Sequence, residues 1–172
     1  GLAVLINSVV FPKILSESAL QTAGYWATSI ANATLNVSGL ILCGIIGYTL
    51  SKNKGYKSPY TCVMIAIAAL IVMMPQTLKI AATDGTEVEV GGILTYGNLG
   101  TSSMFAGIIV GLLSTEIYLR LSKIDKLRVN IGGDVPPQVN ASFNNMIPAM
   151  LSVIIFSIVS FILYSVFNTD LI

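Results

Sequence analysis

The chain of 172 residues is 54% hydrophobic and only 10% charged, and its mean hydropathy is +0.81. Soluble domains carry about 25% charged residues, so this composition excludes a disordered tail, a coiled coil and an ordinary soluble enzyme. A net charge of +1 offers no electrostatic footprint for nucleic acid. The absence of histidine removes the commonest general base and metal ligand, and we expect neither a metal site nor a cofactor. The chain begins with Gly1 and at once turns apolar, so we interpret it as one part of a longer protein.

Four windows of the sequence lack charged residues, namely 18–51, 58–78, 90–115 and 135–169, and each is long enough to cross an apolar bilayer core of about 30 Å. They predict membrane-spanning helices at 26–50, 58–78, 100–121 and 145–167. A fifth apolar stretch, Leu2–Phe11, is too short to span, and we interpret it as the outer end of a first helix. The predicted fold class is therefore an all-α polytopic membrane protein with four full transmembrane helices and the end of a first one.

The loops between these spans differ in charge. Loops 51–57 and 119–137 are rich in lysine and arginine, whereas loop 79–99 holds Lys79 among three acidic residues. The positive-inside rule then predicts that loops 51–57 and 119–137 are cytoplasmic and that loop 79–99 is extracellular.

Two loops predict structure of their own. In loop 79–99, the alternating stretch 86–90 is followed by Gly91-Gly92 and a second apolar run, which predicts a small extracellular β-hairpin turning at the two glycines. Before the last span, Asp134 and the following prolines favour the start of a short cytoplasmic helix running toward Phe143. Pro148 should then kink the last span or separate the short helix from it.

Small residues recur every fourth position on two predicted spans. One stripe is Ser103, Gly107, Gly111 and Thr115, and the other is Gly39, Cys43 and Gly47. Small residues on one helical face allow close approach of backbones in lipid. The pattern is compatible with helix packing inside the chain, with a dimer interface, or simply with the abundance of glycine in membrane helices.

Few residues offer chemistry. Glu116 is the acid nearest the membrane interior, and such acids are functional candidates. Arg120 follows four residues later, at the spacing of a helical ion pair, so the alternative is a structural anchor at the interface. Cys43 and Cys62 fall within spans, where we expect reduced packing residues. No catalytic residue is predicted.

Two stretches resemble a known family. The first is GTSSMF at 100–105, with IIV at 108–110 and STEIY at 114–118; the second, more specific, is VPPQV at 135–139, with SF at 142–143 and MIP at 146–148. Together they resemble the enzyme IIC permeases of the bacterial phosphoenolpyruvate-dependent sugar phosphotransferase system, in the lactose, cellobiose and diacetylchitobiose branch. Gly132-Gly133-Asp134 replaces the proline, acid and glycine usual in that branch, and Ser103 stands where glycine is frequent.

The resemblance implies that residues 1–172 are the N-terminal scaffold and dimer-interface domain of a multi-pass protein of the bacterial cell membrane. It implies uptake of a β-linked disaccharide coupled to phosphorylation by a cytoplasmic IIB protein, with IIA acting indirectly and membrane lipid around the helices. The sugar would bind only through an absent C-terminal half, so no sugar-binding residue is carried over to this chain, which is not catalytic by itself. The cytoplasmic motif carried by the resemblance comprises Asp134, Val135, Pro136, Pro137, Ser142 and Phe143.

A second hypothesis is a self-contained membrane anchor or assembly subunit that oligomerises through its glycine-bearing helices. A third, a channel or membrane-embedded enzyme, is disfavoured because no span carries a row of charges and no cluster of titratable groups is evident.

Overall fold

The computed structural model describes residues 1–81, 86–127 and 137–167, with side chains from 143 to 166 in the last stretch. Most of these residues are helical, and the rest of the regular structure is one antiparallel pair of strands. The elements are α1 (Leu2–Ile14), α2 (Glu17–Thr34), α3 (Ser38–Asn53), α4 (Pro59–Val72), β1 (Thr77–Ala81), β2 (Glu87–Gly91), α5 (Met104–Leu121) and α6 (Pro137–Phe167). One short helical turn, Tyr96–Leu99, precedes α5.

Within the described residues, three helical stretches are long and apolar enough to cross a membrane. They are Glu17–Asn53, in which a 3₁₀ turn joins α2 to α3, Thr101–Leu121 and Phe143–Val166. The predicted span at 58–78 is too long, because α4 ends at Val72. Pro75 lacks a backbone N–H and disfavours helix at the preceding residue, and the chain has entered β1 by Thr77. At 1.5 Å per residue α4 is about 21 Å long, so the structure supports three of the four predicted full spans.

The predicted hairpin is present, but its turn is elsewhere. Strand β1 pairs antiparallel with β2, with Thr77 opposite Gly91 and Ala81 opposite Glu87. The two glycines therefore end β2 instead of connecting two strands. Gly92 adopts a positive φ of 74°, a conformation open to glycine, and its N–H donates to the carbonyl oxygen of Gln76 at 3.0 Å. The prediction chose the wrong partner because Thr77 and Leu78, the first two residues of β1, fall inside the predicted span at 58–78.

The last helix begins where proline indicates, at Pro137, but the expected short separate helix is not observed. A single helix, α6, runs from Pro137 to Phe167 with Pro148 inside it. A proline within a helix removes one backbone hydrogen bond, and membrane helices tolerate this when neighbouring helices and hydroxyl side chains satisfy freed groups. Here Pro148 is fully buried. The carbonyl that loses its partner is that of Asn144, four residues earlier, whereas the Ser152 hydroxyl donates to the carbonyl oxygen of Pro148 itself at 2.8 Å.

The core lies among α3, α4 and α5, which pack against one another, while α6 packs on α4 and α5. One cluster of buried side chains includes Cys43, Leu70, Val110 and Phe156, from four helices. Both cysteines are unpaired and completely buried, Cys43 in that cluster and Cys62 in a second one. In contrast, α2 makes most of its contacts with α1 and with the 3₁₀ turn that follows it.

Candidate functional site

The two stripes of small residues face each other across the contact between α3 and α5. A Cβ atom built on Gly107 would lie 2.8 Å from the carbonyl oxygen of Gly39, and one on Gly111 would lie 2.9 Å from that of Cys43. These distances are too short for a real Cβ atom, so only glycine permits this approach of the two backbones. The stripes are thus used inside one chain, and any second subunit would contact other surfaces.

The close contact between the two stripes of α3 and α5, here called the seam, has a hydroxyl side chain at each end. Ser103 is completely buried beside Gly39, and its hydroxyl donates to the carbonyl oxygen of Gly100 at 2.9 Å. At the other end a Cβ on Gly47 would lie 3.2 Å from Thr115 Oγ1. Thr115 is also completely buried, and among the described residues its hydroxyl has no hydrogen-bond partner. All four residues of the predicted α5 stripe therefore lie in one helix contact.

Glu116 occupies the end of α5 away from the hairpin, where it joins two basic side chains. Arg120 Nε donates to Glu116 Oε1 at 2.9 Å, the i,i+4 pair that the spacing indicates, and Lys54 Nζ contacts the other carboxylate oxygen. Sequence reasoning missed Lys54, which belongs to the connection after α3. The arrangement ties that connection to α5, and since Arg120 is 77% exposed, solvent screens its share of the attraction.

A second polar contact beside it links three parts of the chain. The Tyr56 and Tyr118 hydroxyls are 2.7 Å apart, and the Tyr56 hydroxyl donates to Asn145 Oδ1 at 3.2 Å. Because Tyr56 has one hydroxyl proton, the proton between the two tyrosines belongs to Tyr118. Tyr118 is completely buried, so this network fixes the α3–α4 connection between α5 and α6. Sequence reasoning missed it.

Only part of the motif at 134–143 lies within the residues that the structure describes. Asp134, Val135 and Pro136 lie outside the described residues. Pro137 is the first residue of α6, Ser142 lies in the same helix, and Phe143 is 42% exposed. The contact of this motif with a partner protein stays a prediction.

The described residues hold little that could perform catalysis. In ranges 1–81, 86–127 and 143–166 no three cysteine, aspartate or glutamate side chains are placed to hold a metal ion. The polar groups at the end of α5 are paired with one another in a way that positions helices.

Comparison with known proteins agrees with this architecture. The family model described as phosphotransferase system, EIIC, matches residues 1–172. The oligo-beta-mannoside-specific EIIC component of Bacillus subtilis (strain 168) is 27% identical over 168 residues, covering 98% of this chain and 37% of that protein. The lichenan permease IIC component of the same organism is 28% identical, with 84% and 32% covered. The cellobiose-specific EIIC component of Geobacillus stearothermophilus is 25% identical, with 67% and 26% covered.

A solved structure shares the fold. The crystal structure of the transporter ChbC, the IIC component of the N,N'-diacetylchitobiose-specific phosphotransferase system, superposes with a TM-score of 0.77 at 21% identity. The match covers 99% of this chain and 40% of that one, so the chain spans about two fifths or less of these relatives. From the family match over its whole length, the chain belongs to the EIIC family of the phosphotransferase system.

Proposed function

We propose that this chain is the non-catalytic scaffold part of a multi-pass permease of the bacterial cell membrane that takes up a β-linked disaccharide. Uptake is coupled to phosphorylation of the sugar by a cytoplasmic IIB protein, which IIA supplies with phosphate. The names of the relatives support the substrate class, since oligo-β-mannosides, lichenan and cellobiose are all β-linked sugars or their polymers.

The observation that best supports the scaffold role is the seam between α3 and α5. The backbones of α3 and α5 touch along two helical turns, and α4 closes the same core with Cys62 and Ala66 against Gly47. Packed interfaces of this kind do not deform continuously, because sliding the helices would drive backbone atoms into each other. A bundle built this way is suited to be a fixed frame against which a transport domain moves.

The outer half of α6 offers a surface for such a moving part. Ile158, Phe161, Tyr164 and Val166 are all more than half exposed, which leaves apolar side chains around this half of the helix to be covered by lipid or by other helices. We place the sugar site in the part of the permease beyond these 172 residues. We also propose that the permease is a homodimer. In this arrangement loops 51–57 and 119–137 are cytoplasmic, loop 79–99 is extracellular, and the motif at 134–143 lies near IIB.

The alternative, an anchor that oligomerises through its glycine-bearing helices, is not favoured by this packing. Gly39, Gly47, Gly107 and Gly111 are enclosed within one chain, and Cβ atoms there would meet backbone atoms of the same chain. An assembly subunit would have to oligomerise through other residues.

The test is phosphoenolpyruvate-dependent uptake of radiolabelled cellobiose by cells that express either the complete permease or this chain alone, together with IIA and IIB. We expect uptake and phosphorylation only with the complete permease, and no saturable binding of cellobiose to the isolated chain by calorimetry. Saturable binding by the isolated chain would contradict the placement of the sugar site. A complete permease that takes up no β-linked disaccharide would contradict the substrate class.

A further inference from the structure

Two adjoining cavities open at the end of the bundle that carries Glu116. The larger has a volume of about 480 Å³ and reaches Lys57, Asn144 and Asn145, while the smaller has about 280 Å³ and reaches Arg120 and Lys123. They share Gly55, Tyr56 and Ser122, so they form one groove, here called the inner groove, between the α3–α4 connection, the end of α5 and the start of α6.

The inner groove is strongly positive. Its lining contains four cations, Lys54, Lys57, Arg120 and Lys123, and a single carboxylate, Glu116, which leaves three positive charges in excess. Lys54 and Arg120 share Glu116. Neither Lys57 nor Lys123 forms an ion pair with any residue that the structure describes, so two ammonium groups at the groove remain available to an anion.

The groove also contains an unsatisfied acceptor. Asn144 lines the larger cavity, and its Oδ1 is shielded from water yet accepts no hydrogen bond from the described residues. The neighbouring Asn145 Oδ1 is already occupied by the Tyr56 hydroxyl. Because Asn144 lines the larger cavity, a hydroxyl group held there is the kind of donor that its side-chain oxygen lacks. A bare phosphate group with no proton supplies none, whereas a hydroxyl does.

We propose that the inner groove binds the headgroup of an anionic phospholipid that carries hydroxyl groups, such as phosphatidylglycerol. Its phosphate lies near Lys57 and Lys123, and a headgroup hydroxyl donates to Asn144. Basic pockets between membrane helices are suited to anionic headgroups. A lipid is favoured over a soluble polyol phosphate because α4 starts beside Ser58 of the groove and exposes Tyr60 and Met64, 71% and 73% accessible, along which acyl chains can lie.

Native mass spectrometry of the purified protein in detergent tests this site. Phosphatidylglycerol is titrated against phosphatidylmethanol, which has the same charge but no headgroup hydroxyl, and against zwitterionic phosphatidylcholine. We expect binding to follow that order. Lys57→Gln and Lys123→Gln should each weaken phosphatidylglycerol binding about fivefold. Lys79→Gln, on the hairpin at the opposite end of the bundle, removes the same charge and should have no effect.

Asn144→Leu tests the hydroxyl contact separately. It should bring phosphatidylglycerol down to the affinity of phosphatidylmethanol while leaving phosphatidylmethanol unchanged. Equal binding of phosphatidylglycerol and phosphatidylcholine, or an equal loss in Lys79→Gln and Lys57→Gln, would overturn the proposal. Displacement of the lipid by soluble glycerol 3-phosphate at equal concentration would also overturn it, because the ligand would then be a water-soluble polyol phosphate.

Discussion

Replacing Gly107 by alanine tests the seam between α3 and α5 most sharply. The added Cβ would lie 2.8 Å from the carbonyl oxygen of Gly39, and a backbone oxygen cannot swing aside as a flexible side chain can. The two helices must therefore separate by roughly half an ångström, which forfeits about a quarter of the dispersion energy of each contact along the seam. Overpacking of this kind costs about 1–3 kcal/mol.

A matched control exists in the same chain. A Cβ on Gly24 of α2 would meet only Asn7 Oδ1, at an ordinary contact distance of 3.7 Å. Gly24→Ala therefore gains the helix propensity of alanine, about 1 kcal/mol, without the clash. The difference between the two variants isolates the cost of separating the helices, for which we take about 2 kcal/mol.

The assay is thermal unfolding in detergent followed with a thiol-reactive fluorophore. Cys43 and Cys62 are fully buried, so they react only when the core opens. At about 2–4 °C per kcal/mol for a chain of this size, Gly107→Ala should melt about 4–8 °C below Gly24→Ala. Equal melting temperatures, or a more stable Gly107→Ala, would refute the close backbone contact.

Three further variants probe individual contacts by the same melting assay. Thr115→Val should raise the melting temperature, because it replaces a buried hydroxyl that has no described partner by a methyl group of the same shape; a drop would reveal a hidden partner. Tyr118→Phe should cost about 1 kcal/mol, since the hydrogen bond donated to Tyr56 is lost and the ring stays, and an unchanged protein would show that this bond contributes nothing. Glu116→Gln should lower the melting temperature at low salt and much less at high salt, because salt screens the ion pairs that it removes. The control Glu89→Gln, on the hairpin, should change the melting temperature little at either salt concentration. A drop independent of salt would mean that Glu116 stabilises the protein by packing and not by its charge.

Local periodicity anticipated a large part of this fold. The four-residue spacing placed the small residues of α3 and of α5 each on one helical face, and the structure shows that these two faces meet. The apolar windows located the long helices, but their ends depended on signals that apolar content hides. Helix α4 ends at Val72, ahead of Pro75 and before the apolar window does, and the first two residues of β1 lie inside that same window.

The contacts at the inner groove were beyond sequence reasoning for a different reason. Lys54 meets Glu116 across 62 positions, and Tyr56 meets Asn145 across 89. Such pairs depend on how each helix is rotated and how far the connection after α3 reaches, and neither quantity is encoded in spacing. Only the ion pair of Glu116 with Arg120 could be predicted from the sequence, since the two residues lie four positions apart in one helix.

We infer that α3, α4 and α5 form a fixed frame while sugar is bound and moved elsewhere in the permease. Pulsed electron paramagnetic resonance on the complete permease tests it, with spin labels on Thr49 of α3 and Leu112 of α5, both exposed. Cys43 and Cys62 are fully buried and stay unlabelled in the folded protein. We predict the same distance distribution without sugar and with saturating cellobiose. A shift of several ångströms on adding sugar would contradict the fixed frame.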